Sequence, residues 1–401
     1  MNADPYLVFS EELRLLRERN EYRSLKDIQS REGPRVIYRG APYLNLSSND
    51  YLGFSSDPDL VREFYGALNR ADIIDEYGPG SSSSRLLTGG HSRHAALEEE
   101  LGSLFDTPAS RPAGPRREAL VFTGGYHANT GIIPAVAGRG DLILSDRLNH
   151  ASIVDGVRLS GAERRVYGHR NYDELESILE RERDSFRTAL IVTESLFSMD
   201  GDAADLRRLA AIKRRHGALL VVDEAHAFGV CGERGLGLAE RDGCSADIDI
   251  IIATFGKALG GLGAFALAPA VLREFLINRV RPFIFTTALP PVVVNWNLFA
   301  LKKSVSSPDR RGRLLEVSAK LRRSLADSGC AVRGDSHIIP VIQGDNDAAV
   351  RAADRLQAAG FLAFPIRPPT VPEGSSRIRI SLRADIAWDD IRNIPGILSG
   401  T

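Results

Sequence analysis

The chain has 401 residues, of which 43% are hydrophobic, and its formal net charge at pH 7 is −1. A chain of this length can bury a large core and should contain two or three domains. Its near-zero net charge gives no sign of an electrostatic partner such as nucleic acid or an anionic membrane. The three cysteines lack CxxC spacing, so we expect neither a zinc site nor a disulfide framework.

The N-terminal segment predicts a charged amphipathic helix followed by a short strand at 36–38. The helical charge pattern begins too early for a signal peptide, and no apolar run approaches the length of a membrane span. We therefore expect a cytoplasmic protein. We assign 1–45 to a segment that packs with a smaller C-terminal domain.

Between residues 46 and 290, short apolar runs alternate with helical patterns. Such runs, ended by polar or glycine-containing segments, are typical of buried parallel strands, and five of them lie at 119–122, 142–144, 189–192, 218–222 and 250–253. The stretches 172–183 and 204–215 have apolar residues at three- and four-residue spacing. This alternation predicts a large α/β domain with a mostly parallel sheet.

Pro290 and Pro291 end the alternation, and the remaining stretch, 291–401, predicts a smaller α+β domain. Its helical patterns and strand-like runs follow in chain order: helices at 292–305, 311–328 and 348–359, and strands at 338–342 and 377–382. The Pro- and Arg-rich stretch 111–117 predicts a solvated loop.

Asp223 and Lys257 follow two of the predicted strands. In open α/β sheets, ligands bind at the carboxyl ends of the strands, so both side chains should project into one crevice. Pyridoxal phosphate requires a lysine amine for its Schiff base and a carboxylate against its pyridinium nitrogen. The pair therefore predicts a pyridoxal phosphate site.

Two further features belong to the same predicted edge. Gly124, Gly125 and Tyr126 open a helix after a strand, and free N–H groups at such a position suit an anion. This signal is weak alone, because Gly-Gly turns are common. His150 also follows a strand; it is either an ordinary surface histidine or an aromatic plate over a cofactor ring.

Other motifs resemble parts of nucleotide-binding sites, but the further motifs that such sites require are missing from the sequence. The sequence of Asp223–His226 is that of a helicase motif. A nucleotide-hydrolysing enzyme also needs the phosphate-binding loop GxxxxGK[ST]. The segment that ends in Gly256-Lys257 has Ile251 in place of the first glycine of that loop. The glycines at 232–237 and 260–263 do not match a dinucleotide-binding GxGxxG.

His91 and His94 have the spacing of half a metal site. No acidic third ligand is evident, so a solvated first turn of a helix is the favoured interpretation.

Five motifs together resemble the α-oxoamine synthases, and they lie at 47–53, 149–152, 193–202, 223–226 and 254–257. The resemblance runs from about residue 10 to residue 395. These enzymes have the fold-type I, aminotransferase-like architecture, bind pyridoxal phosphate, and condense an amino acid with an acyl thioester while releasing carbon dioxide. The resemblance implies a large cofactor-binding domain at 46–290 and a small domain at 291–401.

The resemblance also implies roles in cofactor binding. Lys257 would form the Schiff base and move the α-proton, Asp223 would keep the ring nitrogen protonated, and His150 would stack on the ring. Further cofactor contacts are implied for Gly125 and Tyr126 through backbone N–H groups, and for the side chains of Ser198, His226 and Thr254. The family usually has phenylalanine where Tyr126 stands.

Substrate contacts are implied for Arg367, which would pair with the amino-acid carboxylate, and for Arg23, Asn49 and Thr370. The segment 366–372 resembles that of family members joining L-alanine to a pimeloyl thioester. Ser84 stands where members using glycine and a succinyl thioester typically carry threonine.

Three alternatives stay open: glycine with acetyl or succinyl groups, serine with a long acyl chain, and a cofactor-binding scaffold without turnover. The thioester carrier, coenzyme A or an acyl carrier protein, is also open. Thr286 and Thr287 resemble a segment that reaches the neighbouring subunit's phosphate, which implies a homodimer with shared active sites.

Overall fold

The computed structural model describes residues 5–68, 72–106 and 116–400, so most of the predicted loop at 111–117 lies outside the described residues. The chain divides into two compact units. The central unit comprises the described residues of 50–198 and 203–312, and the terminal unit comprises those of 5–49, 199–202 and 313–400.

The strands are β1 (Ile28–Glu32), β2 (Arg35–Tyr38), β3 (Ala41–Asn45), β4 (Arg117–Phe122), β5 (Leu142–Asp146), β6 (Glu163–Tyr167), β7 (Ala189–Glu194), β8 (Leu219–Asp223), β9 (Ile250–Thr254), β10 (Ala264–Pro269), β11 (Ile338–Gly344), β12 (Phe361–Leu362), β13 (Pro365–Ile366) and β14 (Ser376–Ser381).

The α-helices are α1 (Leu7–Glu18), α2 (Pro58–Gly66), α3 (Ile73–Tyr77), α4 (Ser92–Phe105), α5 (Gly125–Val136), α6 (Ala151–Ser160), α7 (Tyr172–Glu182), α8 (Leu206–His216), α9 (Leu238–Arg241), α10 (Ala270–Arg279), α11 (Arg281–Ile284), α12 (Pro291–Val305), α13 (Pro308–Asp327), α14 (Asn346–Ala358), α15 (Trp388–Ile391) and α16 (Ile394–Ser399).

The central unit is built on a seven-stranded sheet with the order β4-β10-β9-β8-β7-β5-β6. Strand β10 is antiparallel to β4 and β9, and the pairs from β9 through β6 are parallel. The five strands predicted from apolar runs therefore end at one edge of the sheet. The predicted α/β fold with a mostly parallel sheet is confirmed.

The core of the central unit explains why these strands are so apolar. Every residue of β7 is buried, and all but the first residue of β8 are buried, as expected for parallel strands covered on both faces. Helices α5 and α6 pack closely because α6 carries Gly156, where a Cβ atom would lie 2.6 Å from the Asn129 carbonyl oxygen. This contact fixes two helices that begin at the functional edge.

The terminal unit contains two small sheets, with the orders β1-β2-β3-β12 and β11-β14-β13. Strand β12 pairs in parallel with β3, so an N-terminal strand and a C-terminal strand share a sheet. Helix α12 lies in the central unit, where Trp296 Nε1 donates to the Leu259 carbonyl and Asn297 Nδ2 to that of Leu262. The domain boundaries placed at 45 and 290 stay predictions.

Across the described ranges, none of the helices combines the length and the apolar character that crossing a bilayer requires.

Candidate active site

A buried carboxylate stands at the centre of the functional edge. Asp223 ends β8 beside Glu194, which ends β7, and it is only 7% exposed. The backbone N–H of Ala225 donates to Asp223 Oδ1 at 2.8 Å, and Asn129 Nδ2 donates to Oδ2 at 2.7 Å. These donors hold the carboxylate in one orientation at the end of the strand.

Lys257 lies three residues beyond β9 and is half-buried. Its Nζ atom lies 2.8 Å from His226 Nε2, and His226 Nδ1 lies 2.6 Å from the Tyr51 hydroxyl. An ammonium group can only donate, so when Lys257 is charged His226 accepts at Nε2 and donates from Nδ1 to Tyr51. The lysine amine is thereby held in place by a directed pair of hydrogen bonds.

His150 caps the start of α6. Its backbone N–H donates to Glu194 Oε1 at 2.7 Å, and its Nδ1 lies 2.8 Å from Ser152 Oγ. Loss of hydration lowers the pKa of His150; Asp223 opposes this shift and the positive charge of Lys257 adds to it. A neutral imidazole at this position is suited to stacking on an aromatic ring.

Glu194 is a functional-edge residue that the sequence marks only as part of the motif at 193–202. Its carboxyl is buried, and burial raises its pKa, with Asp223 adding repulsion and Lys257 opposing it. The neutral acid is therefore favoured at Glu194.

The start of α5 is the place where an anion site is predicted. The helix begins at Gly125 after Gly124, and no side chain caps it. A Cβ atom on Gly125 would lie 3.9 Å from Thr254 Cβ, so the Thr254 side chain lies beside the helix start. The Thr254 hydroxyl donates to the Gly263 carbonyl at 2.8 Å. Backbone N–H groups in this arrangement suit a phosphate group, and the Thr254 hydroxyl could donate to it by turning away from the Gly263 carbonyl.

The side chains of two predicted contacts have other neighbours. The Tyr126 hydroxyl hydrogen-bonds to Asp155, and the Tyr126 ring meets the His150 ring edge to face at 6.4 Å. Ser198 is buried in the segment after β7. Their roles toward a cofactor stay predictions.

In the terminal unit, the structure brings together three of the four predicted substrate contacts. Arg23, Arg367 and Thr370 line one pocket, and Arg23 Nη2 donates to Thr370 Oγ1 at 2.9 Å. Arg367 hydrogen-bonds to the Asn20 carbonyl. Burial lowers the pKa of Arg367, and the like charge of Arg23 adds to this shift. Two guanidinium groups close together favour an anion between them.

Asn49 lies outside that group and accepts a hydrogen bond from Arg379 Nη1 at 3.1 Å through its Oδ1 atom. Arg379 is half-buried on β14 and was not predicted. A signal was present: Arg377 and Arg379 alternate with Ile378 and Ile380 in this strand. Arg377 pairs with Asp200 at 3.0 Å and is a structural residue, whereas Arg379 is a second candidate for anion binding.

The interpretation of His91 and His94 as a solvated helix turn was wrong. His94 is 1% exposed, and its ring nitrogens have no hydrogen-bond partner within the described part of the chain. Helix α4 packs against β4 and buries this face, where Leu97 and Leu101 are also fully buried. Burial lowers the pKa of His94 to about 2, so the imidazole is a neutral core group.

The central unit therefore holds side chains and backbone groups that fit pyridoxal phosphate. An amine, a buried carboxylate, a neutral histidine and an uncapped helix start lie along one sheet edge. These are the groups that this cofactor needs for covalent attachment, charge at its ring nitrogen, stacking and phosphate binding.

The sequence matches the family described as "Aminotransferase class I and II" over residues 41–394. The chain belongs to this family. A curated relative, "8-amino-7-oxononanoate synthase" of Chlorobaculum parvum, is 48% identical over 376 residues, which cover 94% of each chain. The predicted membership of the α-oxoamine synthases is confirmed, and the protein is a pyridoxal phosphate-dependent acyltransferase.

Two solved structures of the family agree with this fold. A serine palmitoyltransferase of S. paucimobilis with a bound PLP–myriocin aldimine has a TM-score of 0.88 at 29% identity, covering 99% of this chain and 98% of that chain. The 8-amino-7-oxononanoate synthase of Francisella tularensis has a TM-score of 0.72 at 28% identity, covering 89% and 97%.

Proposed function

We propose that the protein condenses L-alanine with a pimeloyl thioester to form 8-amino-7-oxononanoate, a step in biotin biosynthesis. A bond forms between the alanine Cα and the thioester carbonyl carbon, and the thiol departs. The alanine carboxyl group leaves as carbon dioxide, and a proton returns to Cα. The observation that carries this choice of substrates is the 48% identity, over nearly the whole length, to a relative with that name.

Bound at the sheet edge, pyridoxal phosphate supplies an electron-withdrawing ring that stabilises negative charge on the alanine Cα. Asp223 would keep a proton on the ring nitrogen, and Lys257 would provide the amine for covalent attachment. Once free, the Lys257 amine takes the proton from Cα and later returns one, while His226 orients it at 2.8 Å. His150 would cover one face of the bound ring and exclude water from it.

The phosphate end of the cofactor would be held by the start of α5. Gly125 and Tyr126 offer backbone N–H groups there, and Thr254 adds its hydroxyl. Ser198 would lie near the phenolic oxygen of the ring. These assignments rest on the family motifs and on the placement of the residues along one sheet edge.

Arg367 is proposed to bind the alanine carboxylate, because a guanidinium group can make two parallel hydrogen bonds to it. Arg23 and Thr370 would contact substrate in the same pocket. Asn49 would position substrate through its bond to Arg379. Because of that bond, Arg379 is the alternative candidate for binding the alanine carboxylate.

We further propose a cytoplasmic homodimer with active sites shared between subunits through Thr286 and Thr287, and coenzyme A or an acyl carrier protein as the thioester carrier. Light scattering should give twice the 43.7 kDa chain mass. A stable monomer that turns over substrate at the dimer's rate would remove the shared-site proposal.

The deciding assay tests alanine, glycine and serine against pimeloyl, acetyl, succinyl and palmitoyl thioesters, each on both carriers. We expect alanine with a pimeloyl thioester to react fastest. Some reaction with glycine is expected, because one methyl group changes binding by only about 1 to 3 kcal/mol. Fastest turnover of serine with a palmitoyl thioester, the activity named for the solved neighbour, would overturn the proposal. No turnover with any of these pairs of amino acid and thioester would favour the alternative of a cofactor-binding protein without catalytic activity.

A further inference from the structure

We propose that Asn129 and Ser152 are positioning residues that place the proton of His150 on Nε2. They do so by connecting the Asp223 carboxylate to His150 Nδ1 through three directed hydrogen bonds. The inference concerns the protein's own side chains; it rests on the proposed function only for its effect on turnover.

The first of the three hydrogen bonds determines which atoms donate and which accept in the other two. Asn129 Nδ2 lies 2.7 Å from Asp223 Oδ2. The amide must present its nitrogen here, because its oxygen would bring two acceptors together. Asn129 is 1% exposed, so bulk solvent has little access to its amide group.

The second hydrogen bond transmits that direction. The same Asn129 nitrogen donates to Ser152 Oγ at 2.9 Å. Ser152 is 1% exposed and uses its oxygen as the acceptor in this contact. Its own hydroxyl proton is then available for the remaining neighbour, His150 Nδ1, at 2.8 Å.

The third hydrogen bond fixes the tautomer. His150 Nδ1 is approached by two donors, the Ser152 hydroxyl and the Ser152 backbone N–H, the latter at 3.2 Å. A nitrogen that accepts from both cannot carry a proton, so the neutral ring is protonated on Nε2. A charged imidazolium would place an N–H against both donors, and the network therefore opposes protonation of the ring.

The surroundings of His150 agree with a neutral ring. The charged or titratable groups that face it are Asp223, Lys257, Asp155, Glu194 and Tyr126. The close contact of α5 with α6 at Gly156 keeps Asn129 and Ser152 at a fixed separation. Nε2 is then the ring atom that can donate a hydrogen bond to a substrate.

The direct test is nitrogen NMR of the holoenzyme with ¹⁵N-labelled histidines. The chain has eight histidines, and a His150→Gln variant identifies the signal of interest. In the wild type we expect a bare Nδ1 and a protonated Nε2. Protonation of Nδ1 in the wild type would overturn the proposal.

Two variants interrupt this series of hydrogen bonds in different ways. Ser152→Ala should give mixed tautomers and a ring that takes up a second proton at higher pH. Asn129→Asp keeps the shape but offers Ser152 only an acceptor, since any shared proton lies toward Asp223. The Ser152 hydroxyl should then donate to the new carboxylate and accept from His150 Nδ1, so the tautomer population should shift toward Nδ1, opposed only by the Ser152 backbone N–H at 3.2 Å. An unchanged tautomer in this variant would overturn the proposal. If Ser152→Ala does not fold, the Asn129→Asp result decides alone.

The matched control is Ser160→Ala on the same helix, whose hydroxyl donates to the Val157 carbonyl. It should leave the His150 signals and turnover unchanged. Ser152→Ala should lower kcat about tenfold, the weight of one hydrogen bond, with little change in cofactor affinity. A loss of kcat with unaltered His150 signals would mean a merely structural role and would overturn the proposal. Because the signals are read without substrate, failure of the alanine and pimeloyl assay would leave this result standing.

Discussion

The sheet edge of the central unit and the arginine pocket of the terminal unit present charge in opposite ways. At the sheet edge, Asp223 is buried and its two oxygens are each bound by a defined donor. In the pocket, Arg23 is exposed and Arg367 is half-buried, and their described hydrogen bonds go to a hydroxyl and to main-chain carbonyls. The first region is organised in advance of its ligand, whereas the second holds like charges that an anion would stabilise.

The difference follows from the elements that carry the residues. Parallel strands deliver Asp223 and Glu194 at matching positions, and neighbouring helices supply their hydrogen-bond partners. Arg367 follows the two-residue strand β13, and Arg23 lies in a segment without regular structure. Substitutions at the sheet edge should therefore affect chemistry, and those in the pocket should affect substrate binding.

The largest effect is expected for Asp223→Asn. The amide keeps the shape of the side chain but loses the charge that holds a proton on the cofactor's ring nitrogen. Each pKa unit lost there costs about 1.4 kcal/mol, so a two-unit loss slows exchange of the alanine α-proton by about a hundredfold. Exchange is measured by NMR in deuterated water. Asp59→Asn, at an exposed side chain, is the control. Near-normal exchange in Asp223→Asn would assign the carboxylate another role.

A smaller effect is expected in the pocket. Arg367→Ala should raise the KM for alanine about 10- to 100-fold, the range of a hydrogen bond to a charged group, and change the thioester KM much less. Steady-state kinetics with each substrate varied in turn provides the measurement. Arg35→Ala removes an exposed ion pair with Asp390 and serves as control.

The same experiment on Arg379→Ala sharpens the comparison. If this variant loses alanine affinity and Arg367→Ala does not, the carboxylate role moves to Arg379. Equal losses for both substrates in Arg367→Ala would remove its assigned role while leaving the fold and the cofactor site unchanged.

The smallest effect concerns His94, which is buried but lies outside both regions. Its folded pKa, about 2, lies below the ordinary value of 6.5. The unfolded chain therefore binds a proton that the folded chain excludes, and stability falls as pH drops below 6.5, by about 1.4 kcal/mol per unit. His94→Leu should flatten this part of the pH profile in urea unfolding. His127→Leu, at an exposed histidine, should not. An unchanged slope in His94→Leu would exclude His94 as the cause.

Much of the sheet edge was predictable because five of its strands are recognisable in the sequence as apolar runs that end in polar residues. Strand β10 was missed, since its sequence, AFALAP, is rich in alanine and lies close behind a glycine-rich loop. Strand β6 was missed because four of its five residues are not buried, as suits an edge strand, so that no apolar run marks it.

The partners of the site residues were harder to predict than the residues themselves. Tyr51 and Ser152 lie within the motifs at 47–53 and 149–152, but those motifs do not show which atoms the two side chains contact. Asn129 lies 94 residues from Asp223 in sequence, outside all five motifs. His94 was misjudged because local polarity suggested exposure, whereas tertiary packing of α4 buries that face. Local pattern indicates the strand ends, but only the assembled fold shows the hydrogen bonds between them.

The central claim is that Lys257 at this edge carries the cofactor, and borohydride reduction tests it most directly. The purified protein should be yellow, and reduction followed by peptide mapping should place the label on the peptide that contains Lys257. Lys257→Ala should bind the cofactor without becoming labelled there and should lose turnover, whereas Lys302→Ala, at an exposed lysine, should behave as the wild type. Label on Lys213 or Lys302 in the wild-type protein would contradict the account.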